Sequence, residues 1–289
     1  MVSNEICVEV LPIFGLDKSE NPHDYIILPS KKHGSRNYPD LMVSKHRLGL
    51  SEKVKAVGSE LKFSLEDFAM EFDGKNYINT LNWRDALTLN LNLGNINLNL
   101  RRFVDFLHLL YKGSEGKEKV YDPTGWQLRR EEIWSIYNEI AGRGEKRIRG
   151  EYIDASYCHD PEDYHNLVIA EHYLYKGNFS TEKTYKLKFN FSRGTKFFDM
   201  FSADVYGFPT KEEDSGIING TYVIDPNNGT ATLFSTGSSN RLGGTTNIIN
   251  CSYSKCVVSS LNIGIRPVKL YNGEILEQTN FLSSLVKFE

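Results

Sequence analysis

Acidic residues are missing from one long stretch of this 289-residue chain. Between Pro226 and Ile265 no Asp or Glu occurs, and the only charged side chains are Arg241 and Lys255. Calcium-dependent sugar binding needs a local set of carboxylate and amide oxygens, so that chemistry is disfavoured there. Cysteine is also scarce. Cys7, Cys158, Cys251 and Cys256 are too few and too scattered for a disulfide scaffold. Long apolar runs are absent, since none approaches the roughly 18 residues that cross a bilayer, and no membrane insertion is expected. The first residues lack a basic start followed by an apolar core, so no secretory signal is read there. Positive charge is not in excess either. The formal net charge is -3, which leaves no overall basic footprint for nucleic acid. The run RGEKRIR from Arg143 to Arg149 reads as a solvated helix end.

Signatures of catalysis are missing in the same way. The chain has no phosphate-cradling glycine loop, no nucleophile elbow, no HExxH, and no carboxylate pair set in an apolar stretch. No enzyme activity and no cofactor are expected. CHDPEDYH (Cys158, His159, Asp160, Asp163, His165) holds the common metal-ligand types within eight residues. Zinc sites draw on two separated pairs, and the two histidines sit six apart in a turn-forming sequence, so a polar hairpin loop is expected and no metal. Cys251 and Cys256 lack a neighbour, other than Lys255, that would lower a thiol pKa, and they read as structural.

The residues that are present suggest helices first and strands after, an α+β chain. DYIILPS reads as a short strand, PSKKHGSRNYPD as turn-rich, and LSEKVKAVGSELKF as a helix carrying Val54, Val57 and Leu61. ALTLNLNLGNINLNLRRF alternates apolar and polar, the pattern of a strand. Leucine with asparagine lacks β-branched residues, however, and Asn82 followed by Asp85 resembles a capping box. Trp83, Leu87 and Leu91 then fall four apart, and Gly94 marks a stop. A second helix is expected from Leu98 to Lys112, with Phe103, Phe106, Leu107 and Leu110 on one face and Gly113 ending it. A third is expected from Leu128 to Ala141, after a turn-like YDPTG, with Ile133, Ile136, Tyr137 and Ile140 inward. EYIDASY, HNLVIAEHYLY, KTYKLKFNF, GTYVI and TATLF read as antiparallel strands, and SLNIGIRPV as a last one with Leu261, Ile263 and Ile265 on one face.

The charge-poor stretch lies between TATLF and that last strand. Of the 40 residues from Pro226 to Ile265, 23 are Ser, Thr, Asn or Gly, which is neither core nor ordinary surface. A disordered linker would not intersperse Leu242, Ile248, Ile249 and Tyr253. Small adaptable hydrogen-bonding side chains with an occasional Tyr and Arg are the chemistry of a binding face. On residue type alone, a binding surface and ordinary loop-rich strands remain equally open.

Two motifs resemble a known family. NWRDALTLNLNLG followed by LNLRRFVDFLHLL resembles the helix pair that opens the formylglycine-generating type of C-type lectin fold. NRLGG followed by Gly264-Ile265-Arg266 resembles its closing signature. Within that fold, YPDL…RLGL, VYDPTG…EEIWSIYNEI and the strand leading into the small-polar stretch are similar to the variable proteins of diversity-generating retroelements, the archaeal ones above all. The resemblance implies a mixed N-terminal segment over residues 1–62 and a C-type lectin-like domain over 63–289. That domain would carry a helical insertion at about 114–149 and a variable region at about 230–266. It further implies a hypervariable surface, rewritten by error-prone reverse transcription of adenine-rich codons, that binds a macromolecular ligand, most simply a protein. Ser238, Ser239, Asn240, Arg241, Gly243, Thr246, Asn247, Asn250, Ser252, Tyr253 and Ser254 would meet the ligand, with Tyr253 and Arg241 as the strongest anchors by residue type. Leu242, Ile249, Leu261, Ile263 and Ile265 would hold the register. Such a protein would stay in the cytoplasm, ride on a virus particle, or reach a surface through a partner.

Two other readings stand beside this one. Formylglycine-generating oxidases of the same fold use a closely spaced cysteine pair, which Cys251 and Cys256 would supply. The chain departs from that pattern in lacking an arginine-rich segment after the second cysteine, and in the short distance to Gly264. The third reading is a lectin-like domain of fixed specificity.

Overall fold

The computed structural model describes residues 16, 20–34, 36–63, 65, 69–72, 75–78, 81, 83–141, 149–154, 156–159, 162, 166–175, 178–188, 196–199, 202–207, 210, 212–213, 220–223, 232–239, 244–250 and 262–271. Four short strands come first: β1 (Tyr25–Leu28), β2 (Lys31–His33), β3 (Arg36–Tyr38) and β4 (Leu41–Ser44). Helix α1 (Glu52–Glu60), the hairpin β5 (Ala69–Phe72) and β6 (Lys75–Ile78), and helices α2 (Trp83–Asn92), α3 (Leu100–Ser114) and α4 (Arg130–Ala141) follow. The described elements after α4 are strands: β7 (Arg149–Ile153), β8 (Ser156–His159), β9 (Asn166–Tyr175), β10 (Asn178–Lys188), β11 (Lys196–Asp199), β12 (Glu212–Glu213), β13 (Gly220–Val223), β14 (Thr232–Ser239), β15 (Gly244–Asn250), β16 (Asn262–Gly264) and β17 (Val268–Leu270). The chain is α+β.

The Leu/Asn stretch forms helix, as expected. Its alternation misleads because Asn90, fully buried in α2, behaves as a core residue. Its Nδ2 donates to the Ile96 carbonyl (3.2 Å) and to Asn97 Oδ1 (2.6 Å), and its Oδ1 accepts from Asn95 (3.0 Å). A buried amide so bonded avoids most of its desolvation cost. Ala86, Leu87, Leu89 and Leu93 are buried beside it, whereas Leu91 is only half-buried. Gly94 follows the helix at φ 77°, a stop suited to glycine. Asn82, the expected cap, lies outside the described residues.

Helix α3 starts two residues later than expected, where Asn99 Oδ1 accepts from the Arg102 amide at 2.9 Å. Phe103, Phe106, Leu107 and Leu110 are buried, and so are Leu100, Val104 and Leu109, so the helix is covered nearly all round. Gly113 does not end it. This glycine is buried within the last turn, where a Cβ would lie 2.5 Å from Val120 Cγ2 and 3.3 Å from Ile133 Cδ1. It is the crossing point at which α4 and the preceding loop approach. Helix α4 buries Ile133, Ile136, Tyr137 and Ile140, with Trp134 stacked on Tyr137 at 5.7 Å. The YDPTG turn before it is tied by Asp122, whose Oδ1 accepts from the Thr124 amide (2.9 Å), the Thr124 hydroxyl (2.6 Å) and the Trp126 amide (3.0 Å).

Among the described residues, two hydrophobic clusters result. In one, β1, β4 and β17 pack with α3 and α4 through Ile26, Leu28, Leu41, Val43, Phe106, Tyr137 and Val268. In the other, Leu48, Val54, Leu65, Ile78, Leu81 and the inner side of α2 meet Tyr152 and Ile265. Adjacent residues of β7 face opposite clusters, Tyr152 the second and Ile153 the first, as period 2 requires. Strands from residues 1–62 and from near the chain's end therefore share one sheet, ordered β1-β4-β17, and α4 belongs to the main core.

The strands differ from expectation in two ways. They are not all antiparallel. The seven-stranded sheet runs β12-β11-β13-β15-β14-β7-β16, and β13 with β15 and β16 with β7 are parallel pairs. Nor is SLNIGIRPV one strand. β16 ends at Gly264 in the seven-stranded sheet, and β17 begins at Val268 in the three-stranded one. The ladder breaks because Pro267 has no N–H to give, while Arg266 turns its guanidinium to the Ser44 carbonyl at 2.9 Å. The segment expected to be turn-rich contains the β2–β3 hairpin.

Candidate functional site

The charge-poor stretch supplies β14 and β15, an antiparallel hairpin joined by residues 240–243. Its register runs from Leu233↔Asn250 to Ser239↔Gly244. On its outer edge β14 pairs with β7 from Thr232↔Ile153 to Thr236↔Arg149, and β15 pairs with β13 from Thr221↔Asn247 to Val223↔Ile249. The lower half of the hairpin is thus flanked on both sides. The upper half, Gly237–Ser239 with Gly244–Thr246, is registered only against itself among the described residues. The ladder bonds are backbone to backbone, so any residue type other than proline supplies them at a paired position.

Of the eleven residues expected to meet a ligand, five lie in these strands: Ser238, Ser239, Thr246, Asn247 and Asn250. Period 2 divides them. Ser238 and Asn247 fall in one register set with Phe234, Thr236, Thr245 and Ile249, while Ser239, Thr246 and Asn250 fall in the other. Asn240, Arg241, Gly243, Ser252, Tyr253 and Ser254 lie outside the described residues, as do Leu242, Leu261, Cys251 and Cys256. Ile249 is registered opposite Phe234, Ile263 opposite Gly150, and Ile265 is buried in the second cluster.

Below the hairpin, Gly264-Ile265-Arg266 ties the seven-stranded sheet to the rest of the fold. A Cβ on Gly264 would lie 2.7 Å from Arg47 Cδ, so the arginine's stem occupies that space. Ile265 is 2% exposed, and its carbonyl accepts from the Leu48 amide at 2.7 Å. Arg266, 3% exposed, bonds Ser44 and lies 3.5 Å from Glu139 of α4. At β7 the Tyr152 hydroxyl donates to the Leu81 carbonyl at 2.7 Å.

A second polar centre escaped the sequence reading. Asp105 of α3 is 2% exposed and accepts from four side chains. Arg101 donates through Nη2 (2.9 Å) and Nε (3.3 Å), the Tyr38 hydroxyl at 2.8 Å, and Lys31 Nζ at 3.3 Å. His33 Nε2 lies 2.8 Å from Oδ2. Burial alone would raise the Asp105 pKa. The Arg101 charge, the Tyr38 hydrogen bond and Lys31 outweigh it and hold the carboxyl below the usual carboxylate range. Tyr38 is pushed far above a normal phenol by burial and by the Asp105 charge. Arg101 also reaches the carbonyls of Asp204 (2.9 Å) and Ala203 (3.4 Å), so the hub joins β2–β3, α3 and the 202–207 turn. Lys31 lies 74 residues from Asp105 in sequence. None of these residues is singled out by the sequence reading; the one local signal in the sequence is Arg101 and Asp105 standing four apart on a helix. With both carboxylate oxygens bonded to side chains of β2, β3 and α3, the arrangement works as a clamp.

Cys158 and His159 end β8, which pairs with β9 so that residues 160–165 connect a hairpin. Asp160, Asp163 and His165 lie outside the described residues. Among the described residues no group of three or more His, Cys, Asp or Glu is placed to hold a metal, and no helix is long and apolar enough to cross a membrane. Comparison with protein-family models, curated proteins and solved structures finds no match for this chain.

Proposed function

We propose that this chain is a ligand-binding protein whose β14–β15 hairpin and adjoining loops form a diversified surface, carried on a C-type lectin-like scaffold of the formylglycine-generating type. On this reading it is the variable protein of a diversity-generating retroelement. Its ligand is a macromolecule, most simply a protein, and it has no catalytic residues, cofactor or metal. The observation that supports the reading most is the placement of the charge-poor stretch. A segment that is more than half Ser, Thr, Asn and Gly is neither a linker nor an edge but a hairpin inside a seven-stranded sheet. Side chains on such a backbone change without redirecting it, which a rewritable binding site requires. The hairpin's upper half, clear of registered neighbours among the described residues, and the 240–243 connection would lead the contact.

The test is sequencing of the same locus in related isolates. Substitutions concentrated over residues 235–262, with a nearby template copy differing at adenines and a reverse-transcriptase gene beside it, are the expected result. An invariant stretch with neither neighbour would rule out diversification and leave a fixed-specificity binder.

A further inference from the structure

The overall charge of -3 conceals a strong segregation. The β2–β3 hairpin over residues 31–38 carries Lys31, Lys32 and Arg36 and no acid. Helix α3 carries Arg101, Arg102 and Lys112 against Asp105 alone. These two packed segments hold six cationic side chains and one carboxylate, a net +5 that leaves -8 for everything else. The fold brings them face to face. Lys31, His33, Arg36 and Tyr38 occupy one register face of the hairpin, and Lys31, His33 and Tyr38 reach Asp105.

Asp105 cannot neutralise this assembly. Its two oxygens already meet five donor atoms, about the capacity of a carboxylate. Lys32, Arg102 and Lys112 form no ion pair among the described residues. Along α3, His108 lies one turn beyond Asp105, and Lys112 one turn beyond His108, so the three share a stripe that begins under Lys31. Among the described residues Lys31 makes one ion pair, with Asp105, which leaves two ammonium donors. His108 responds to this field. Burial first, then the charges of Lys112 and Lys31, lower its pKa, against the weaker opposing pull of Glu118 and Asp105.

We propose that the seam between β2–β3 and the His108–Lys112 flank of α3 binds a tetrahedral oxyanion of phosphate type, gripped by Lys31, His108 and Lys112. Three donors approaching from a hairpin and a helix match an anion with several acceptor oxygens better than a single carboxylate, and each hydrogen bond is charge-assisted. The ligand arrives down the field of a locally positive face on an otherwise acidic chain. Binding is independent of the proposed hairpin surface, and for a given charge state of the anion it strengthens as pH falls through the His108 titration, because the imidazolium joins Lys31 and Lys112 while Glu118 and Asp105 offset only part of their charge.

The experiment follows the His108 imidazole by NMR in the full chain as pH is varied, without anion, with inorganic phosphate, and with phosphoserine. Bound anion favours the imidazolium, so the His108 titration midpoint is expected to rise with phosphate. Lys112→Ala, which stands clear of the Asp105 hub, is expected to weaken binding roughly tenfold or more, while Lys119→Ala leaves it unchanged. A response to inorganic phosphate alone assigns the site to the free ion, and a response to both ligands assigns it to a phosphoryl group on a larger molecule. A His108 titration indifferent to phosphate, or a Lys112→Ala chain that binds as well as the parent, overturns the proposal.

Discussion

Asp105→Ala is expected to destabilise the fold by about 3–5 kcal/mol, the range for removing one partner of a buried ion pair. The loss is large because Arg101, 7% exposed, keeps its charge and is left, among the described residues, with the Ala203 and Asp204 carbonyls, while Tyr38 and His33 lose their common acceptor. The double change Arg101→Met with Asp105→Leu is expected to cost less than Asp105→Ala alone, since no uncompensated charge remains buried. Urea unfolding of the three chains measures both statements. The same hub sets a pH dependence. Asp105 has its folded-state pKa lowered, so its contribution is present above the unfolded carboxylate value near ~3.9 and is lost as pH falls through the folded one. Tyr38 has its pKa raised, so its contribution is full below the unfolded phenol value of about 10 and is lost as pH climbs above it. Asp105→Ala is expected to flatten the acid limb of the stability curve.

Gly207→Ala is expected to be nearly as damaging, for a reason confined to the backbone. Gly207 sits at φ 93°, and a Cβ there would lie 2.6 Å from the Arg101 nitrogen, 2.7 Å from the Leu100 carbonyl carbon and 2.8 Å from the Arg101 Cα. None of these atoms belongs to a side chain that swings aside, so either the 202–207 turn lifts from the start of α3 or the helix shifts. Left-handed strain of about 1–3 kcal/mol and overpacking of about 1–3 kcal/mol combine to roughly 3 kcal/mol or more. Gly125→Ala is the control. Gly125 has φ 83° with nothing within 4 Å of a Cβ, so only the conformational strain applies. Equal losses at the two positions would show that the turn does not press on α3 as described. A lifted turn also releases Arg101 from the Ala203 and Asp204 carbonyls, so Gly207→Ala and Asp105→Ala should be non-additive.

Much of the helical layer was legible because its signals are local. The 3.6-residue spacing of Ile133, Ile136, Tyr137 and Ile140 marks α4, and leucine's preference for helix settles α2 against an alternating pattern. Gly113 was misread because a glycine that ends a helix and one that admits a neighbour look alike until Val120 and Ile133 are placed against it. The parallel pairs β13–β15 and β16–β7 depend on partners distant in the chain, which periodicity does not report. Residues 264–267 read as continuing strand because Ile263 and Ile265 alternate correctly. The break comes from Pro267 and from the pull of Ser44 and Glu139 on Arg266. The Asp105 hub was out of reach for the same reason, since Lys31, His33 and Tyr38 are 67 to 74 residues from it in sequence. For the hairpin face, composition marked the stretch, and the register then divided its described residues between two sets, which composition alone does not reveal.

On the proposed function, the charge-poor stretch is a binding surface whose side chains are free to change while the scaffold is not. The most direct measurement is thermal unfolding of the full chain with all eleven proposed contact residues, Ser238 to Ser254, exchanged among Asn, Ser, Thr and Tyr, beside a chain carrying Ile265→Ser. The account expects the first to unfold cooperatively within about 2–4 °C of the parent, equivalent to roughly 1 kcal/mol in a domain of this size, and the second to fall far below it. Loss of cooperative unfolding in the exchanged chain, with Ile265→Ser near the parent, would contradict it.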